Sequence, residues 1–244
     1  MILIGDIGNT DTKICLVNSN FKIKKRFVFP TKNFSEVSFL KKVSRFKIRK
    51  SLFSSVVPNL FYKIRLLLKQ KYNIQCYELK KLNLSKIIKI KVNKKQVGSD
   101  RLANAIGAMA KNKNFIIIDF GTATTFDVLI SNEYNGGIIA PGIQLSLNTL
   151  VNKATLIPKI NLKKIKNVVG KNTSSAVRSG FFWGYIGLIN NIIDLIKKET
   201  KKSFKIIITG GFSQLFVKSL KSKCIIDKDI TIKGLIKTTK LTKI

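Results

Sequence analysis

The sequence contains no histidine. That excludes Ser-His-Asp and Cys-His nucleophilic catalysis, histidine-ligated zinc and any histidine general base. Its three cysteines, Cys15, Cys76 and Cys224, form no close-spaced pair. They fit neither a zinc knuckle nor a disulfide framework, and point to a reducing compartment. No stretch of 18 apolar residues exists; the richest, residues 181–196, is broken by Asn190, Asn191 and Asp194. The opening residues Met1 to Asp6 carry no basic segment and too short an apolar run for a signal peptide. The expectation is a soluble cytoplasmic protein with no membrane partner. Acids are scarce as well: twelve against 46 basic residues, a net charge of +34.

What fills the chain is Ile, Lys and Asn, together 96 of its 244 residues, while Ala appears eight times and Arg six. All three abundant residues have A/T-rich codons, so the charge reads as codon drift that spread Lys over a solvated surface. A basic surface also attracts phosphate backbones, which leaves a nucleic-acid binder as the other reading. Lys is scattered along the whole chain and the Arg residues that read bases are few, so no specific nucleic acid is expected as a partner. With 45% apolar and 24% charged residues the composition is that of a folded protein. The length suits one large domain or two small ones.

In a chain this poor in acids, an Asp at an apolar, Gly-rich place needs a reason. Asp6 ends an apolar run and precedes Ile7-Gly8-Asn9-Thr10; Asp119 ends Phe115-Ile116-Ile117-Ile118 and precedes Phe120-Gly121-Thr122; Asp100 lies in Gly98-Ser99-Asp100-Arg101. A lone Asp beside Gly is commonly a turn or a cap. Here, however, the segment from Asp6 to Val17 resembles the segment from Asp119 to Ile130, 113 residues later. Each reads as a strand, a Gly turn rich in hydroxyls, and a second strand. Such a turn lets the backbone approach a ligand closely, and its Thr, Asn and N–H groups can donate to phosphate oxygens. A strand-end Asp can hold a hydrated Mg²⁺. Two such hairpins facing one cleft would grip a nucleoside triphosphate; a pair of ordinary hairpins from an old duplication is the alternative, and it too predicts two similar domains.

The rest of the chain reads as mixed α/β. Strands are expected over 2–7, 12–17, 22–29, 51–56 and 74–79, then 115–119, 124–130, 135–140 and 205–209, with helices over 34–44, 58–71, 98–111, 142–151, 173–198 and 212–220. Strands before helices in each half predict a mostly parallel sheet with an antiparallel hairpin edge. The division expected is residues 1–112 and 113–244, with a hinge near 111–115. Phe181, Phe182, Trp183 and Tyr185 on the long helix read as core or interface.

These motifs together resemble the type III pantothenate kinase family. Besides the three acid motifs, the chain carries in order Gly136-Gly137-Ile138-Ile139-Ala140-Pro141-Gly142, Gly170-Lys171-Asn172-Thr173 with Ser179-Gly180, Thr209-Gly210-Gly211 and Ile230-Thr231-Ile232-Lys233-Gly234-Leu235. The resemblance implies an actin/hexokinase-like fold of two ribonuclease-H-like domains with ATP in the cleft between them. It implies transfer of the γ-phosphoryl of ATP to pantothenate, the first step towards coenzyme A, by a cytoplasmic homodimer that needs Mg²⁺ and K⁺ or NH₄⁺. Carried over by position, Asp6, Ile7, Gly8, Asn9, Thr10, Asp11, Thr12 and Lys13 form the first phosphate-binding turn, with Asp6 on the hydrated metal or the γ-phosphate. Gly98, Ser99, Asp100 and Arg101 contact pantothenate and Asp100 is the general base. Asp119 helps bind the monovalent cation, Thr122 touches ATP phosphate and Thr173 contacts pantothenate. Gly210 and Gly211 approach the nucleotide.

The chain departs from the family pattern at Ser99, where Ala is usual, at Lys91 and Lys94, where Tyr and Pro are common, and at Phe212, where an acid commonly follows the two glycines. Arg101 either keeps Asp100 ionised or grips the pantothenate carboxylate. The competing reading of the whole chain is a non-catalytic regulator of the Bvg accessory factor kind, or a nucleic-acid-associated protein on the same fold. Retention of Asp6, Asp100 and Asp119 in an acid-poor chain speaks for the kinase.

Overall fold

The computed structural model describes residues 1–111 and 113–242. The expected division between 112 and 113, and part of the expected hinge, fall on residue 112, outside the described residues. The chain forms two compact units. One comprises Met1–Met109 and the segment that begins at Asp229; the other is Ala110–Lys228.

The first unit is built on the strands β1 (Ile2–Ile7), β2 (Asp11–Val17), β3 (Ile23–Pro30), β4 (Lys50–Ser55) and β5 (Cys76–Glu78), in the order β3-β2-β1-β4-β5. β1 to β3 run as an antiparallel meander, and β4 and β5 join parallel to β1. β1 is buried along nearly all its length, as its apolar sequence, broken only at Asp6, requires of a central strand. The edge strand β3 is exposed and charged over Lys24, Lys25 and Arg26, which blunts it against pairing with another chain.

Helices α1 (Glu36–Val43) and α2 (Pro58–Tyr72) close one face over a core that includes Leu3, Ile7, Phe53 and Ile64. Pro58 starts α2 where a missing N–H costs nothing, and Asn73 stops it in the left-handed region at φ 51°. A two-residue strand β6 (Lys89–Ile90) and two 3-10 turns, Leu79–Lys81 and Lys94–Gln96, lead into α3 (Ser99–Ala108). α3 stops earlier than the expected 111, because Met109 leaves the helical region at φ −51°, ψ 125°.

The sequence division assigns everything after residue 113 to the second half. In the structure α7 (Ile230–Leu241) packs on α3, inside the first unit. The helices approach so closely that a Cβ on Gly234 would overlap the Ala103 carbonyl, and one on Gly107 would meet the Ile230 carbonyl.

The second unit repeats the plan. β7 (Phe115–Phe120), β8 (Ala123–Ile130), β9 (Glu133–Pro141), β10 (Lys205–Gly210) and β11 (Cys224–Ile226) stand in the order β9-β8-β7-β10-β11. The first three are antiparallel, and β10 and β11 are parallel to β7. Sense and order match the first unit strand for strand, as two ribonuclease-H-like domains require. α4 (Ile143–Lys153) and the long α5 (Thr173–Thr200) follow the hairpins, with α6 (Ser213–Phe216) after β10. Asn172 caps α5 by accepting from the Ser175 N–H while the Ser175 hydroxyl accepts from the Asn172 N–H. Phe182 is fully buried and stacks on Phe216, so this part of the aromatic cluster is core. Neither β11 nor α7 is among the elements expected from sequence.

Candidate active site

Asp6 is the next-to-last residue of β1, directly beside Ser54 of β4 in the parallel register. The Ser54 hydroxyl is completely buried and donates to Asp6 Oδ1 at 2.6 Å. The turn beyond is closed by the Gly8 N–H on the Asp11 carbonyl at 3.0 Å. Thr31 braces it from the neighbouring strand end. Its hydroxyl donates to the Gly8 carbonyl at 2.7 Å and its N–H to the Thr10 carbonyl at 2.8 Å. The Thr12 hydroxyl lies 2.9 Å from that of Thr31. Within the predicted phosphate turn, then, Asn9, Thr10 and Asp11 are exposed, whereas Ile7 and Thr12 are buried and hold the turn from beneath.

Asp100 stands in the first turn of α3, where a carboxylate suits the positive helix end. Its Oδ1 accepts from the Arg101 N–H at 2.8 Å. The same oxygen lies 2.5 Å from where a Cβ on residue 98 would stand. Glycine at 98 is therefore what lets this carboxylate fold back over its own backbone. The neighbouring Ser99 is buried, and its hydroxyl has no hydrogen-bond partner; the departure from Ala thus adds a polar atom beside the base.

The two acids belong to one electrostatic site. Burial pushes Asp6 up to about 6; the Ser54 hydroxyl and Lys13 oppose the shift, and the Asp100 charge adds to it. Asp100 is also raised, again first by burial, against the Arg101 N–H and guanidinium and the ammonium of Lys80. Lys13 faces Asp6 across the β1–β2 ladder. Two half-desolvated carboxylates flanked by cations form a site that gains by taking up a cation or a proton.

In the second unit Asp119 occupies the position of Asp6, opposite Thr209 of β10 where Asp6 has Ser54. The turn is closed by the Gly121 N–H on the Ala123 carbonyl at 3.1 Å. The neighbouring-strand tie repeats too: Val56 N–H donates to the Ile7 carbonyl at 3.0 Å, and Gly211 N–H to the Phe120 carbonyl at 3.2 Å. Thr122 is exposed in its turn and its carbonyl backs onto Gly142 at the start of α4, where a Cβ would overlap it. Gly210 takes φ +86° against Phe120. Thr173 is exposed at the first position of α5. Sequence reasoning missed Ser54, Thr31 and Lys80. The first is a hydroxyl on a strand and the second one just past a strand end, both far away in sequence; only pairing of β1 with β4 and of β2 with β3 brings them in.

Mg²⁺ takes oxygen ligands, keeps several waters and is completed by substrate phosphates rather than by an all-protein cage. The donors present fit that pattern: one half-buried strand-end carboxylate with one oxygen held by Ser54, and no cluster of three or more acidic, Cys or His ligands among the described residues. No helix among the described residues is long and apolar enough to cross a membrane.

The family description "Type III pantothenate kinase" matches residues 2–195. The chain is 62% identical to the type III pantothenate kinase of Pelagibacter ubique (strain HTCC1062), over all of both chains. It is 38% identical to that of Sulfurihydrogenibium sp. (strain YO3AOP1), over 96% of this chain and 98% of the relative. Among solved structures, the activator of the 2-hydroxyisocaproyl-CoA dehydratase from Clostridium difficile, with bound ADPNP, aligns with a TM-score of 0.53 at 10% identity, covering 97% of this chain and 91% of that one. The ethanolamine utilization protein EutJ from Carboxydothermus hydrogenoformans aligns with a TM-score of 0.54 at 12% identity, covering 96% and 88%. At such identities the likeness is one of fold.

Proposed function

This chain belongs to the type III pantothenate kinase family, and from that premise we propose how its residues divide the work. The reaction is ATP-dependent phosphorylation of pantothenate in coenzyme A biosynthesis. The regulatory alternative finds no support in these relatives.

Asp100 is the general base. The acceptor hydroxyl attacks the γ-phosphorus of ATP, its proton passes to the Asp100 carboxylate, and the bond from the γ-phosphorus to the bridging oxygen breaks to release ADP. Phosphoryl transfer has a loose transition state, so positioning and charge neutralisation matter more than base strength, and a carboxylate suffices. Asp6 would hold hydrated Mg²⁺, which would neutralise phosphate charge. Gly8, Asn9, Thr10, Asp11 and Lys13 contact phosphate, a role that the family resemblance also gives to Thr122. Gly98, Ser99 and Arg101 contact pantothenate, a role that the family resemblance also gives to Thr173, and Asp119 would serve K⁺ or NH₄⁺. Arg101, whose N–H already holds Asp100, keeps the base ionised until the substrate arrives.

The single observation that carries the assignment is the Asp6–Asp100 pair, two half-buried carboxylates within electrostatic reach, one near the end of a strand and one in a helix's first turn. The family resemblance supports a homodimer, and three free cysteines support a reducing cytoplasm. ADP release with Mg²⁺, measured with and without pantothenate in K⁺ and in Na⁺ buffer, tests the reading. Release that requires pantothenate and is faster in K⁺ is expected. Release indifferent to pantothenate would overturn it.

A further inference from the structure

The backbone that brings Asp100 into the site is held by two lysines that the family motifs leave without a role. They belong to the two 3-10 turns, Leu79–Lys81 and Lys94–Gln96. Lys80 Nζ donates to the Lys95 carbonyl at 2.6 Å. In the opposite direction, Lys94 Nζ donates to the Leu82 carbonyl at 2.7 Å. Hydrogen bonds with an ionised donor are short and about twice as strong as neutral ones. One bond would leave the two segments free to pivot; two, running in opposite directions, fix one against the other.

Little slack separates this clasp from the base. Asn93 caps the second turn, its Oδ1 accepting from the Lys95 N–H at 3.0 Å, and Glu78 caps the first through the Lys81 N–H at 3.1 Å. The Val97 N–H closes on the Lys94 carbonyl, and Val97 itself is buried. Gly98 and α3 follow at once. Lys80 also lies within electrostatic reach of Asp100 and opposes its upward shift, so one side chain both ties the segment and favours the ionised base.

We propose that Lys80 and Lys94 are positioning residues for phosphoryl transfer, their reciprocal clasp setting where the Asp100 carboxylate meets the acceptor hydroxyl. This rests on Asp100 as the base. It also gives the departure at Lys94 a physical meaning. Lys94 is the first residue of its turn, a position where Pro presets φ and needs no N–H. The common Pro and this Lys stiffen the same turn by different means.

The test compares Lys80→Met, Lys94→Met, the double variant, Lys80→Arg and Lys94→Pro, with Lys69→Met, whose ammonium bonds Asn73 on α2, as the control. The expected result is a loss of about 10-fold or more in kcat/KM for pantothenate in each Met variant, since an ångström of misplacement costs up to about 10²-fold. Affinity for ATP by calorimetry and the melting midpoint stay near wild type. The double variant is no worse than about the poorer single one, because both bonds guard one junction. Lys80→Arg and Lys94→Pro recover most of the activity. The clasp is overturned if folded Met variants keep wild-type kcat and KM, or if their loss tracks melting and ATP affinity equally, or if Lys94→Pro is as poor as Lys94→Met. Asp100→Asn assayed alongside separates the two layers. Normal turnover there removes the base reading, whereas an inactive Asp100→Asn beside unimpaired Lys variants removes the clasp alone.

Discussion

Replacing Asp6 with Asn should make the ligand-free protein more stable while disabling it. Asp6 titrates near 6 in the folded chain against an ordinary 3.8, chiefly because it is buried. Between those two values the folded state holds a proton that the unfolded state has released, so stability falls as pH rises through that window and is flat above it. At about 1.4 kcal/mol per unit, a rise of two units costs the neutral-pH protein about 3 kcal/mol. Asn keeps an oxygen to accept from Ser54 and carries no charge to desolvate. Thermal melts of both proteins without nucleotide or metal, from pH 4 to 8, measure the difference. At neutral pH the variant should melt about 6–12 °C higher, taking about 2–4 °C per kcal/mol for a chain of this size, and the gap should close near pH 4. Calorimetry on the same samples should show productive Mg·ATP binding lost. A variant no more stable than wild type at pH 7.5, or a gap that widens towards acid, would refute this account of Asp6.

Asp100→Asn should fold, since Asn suits a helix start, and turnover at saturating pantothenate should drop by about 10²–10⁴-fold, the range for a general base; steady-state kinetics decides it against a mere capping role. Ser54→Ala removes the donor that opposes the upward shift of Asp6, so the acid limb of the pH–rate profile should move towards alkali, and an unmoved profile would deny Ser54 that influence. Gly234→Ala drives a methyl onto the Ala103 carbonyl and should cost about 1–3 kcal/mol or more as overpacking, read as a lower denaturation midpoint.

The central strands are legible because burial on both faces leaves a local mark: Ile2 to Ile7 and Phe115 to Asp119 read as strands from composition alone, and β7 runs one residue further. The strand-end acids were legible for a related reason, because an Asp between an apolar run and a Gly is conspicuous where acids are few. The turn braces were not. Thr31 and Ser54 are ordinary hydroxyl residues in sequence, and their partners are 23 and 48 positions away. Asp127 shows the same limit from the other side. Nothing in its sequence neighbours Phe126 and Val128 marks it, yet the structure buries it completely with the Tyr134 hydroxyl donating to it at 2.7 Å. α7 escaped notice because its buried face, Ile232, Leu235 and Thr238, is interrupted by Lys and Gly, and the purpose of that Gly is visible only when α3 lies against it.

The placement of α7 also bears on the order in which the protein is made. The second unit is one uninterrupted stretch, so every strand of its sheet has been synthesised before α7 exists. The first unit, although its sheet and α3 leave the ribosome earliest, lacks the helix that covers Gly107 and Ala103 until synthesis has passed residue 241. During translation α3 thus waits with an uncovered small-residue face, and the half that holds the base is the last to close. A nascent chain halted before residue 230 should protect its second half from protease and leave its first half open, the reverse of the order of synthesis.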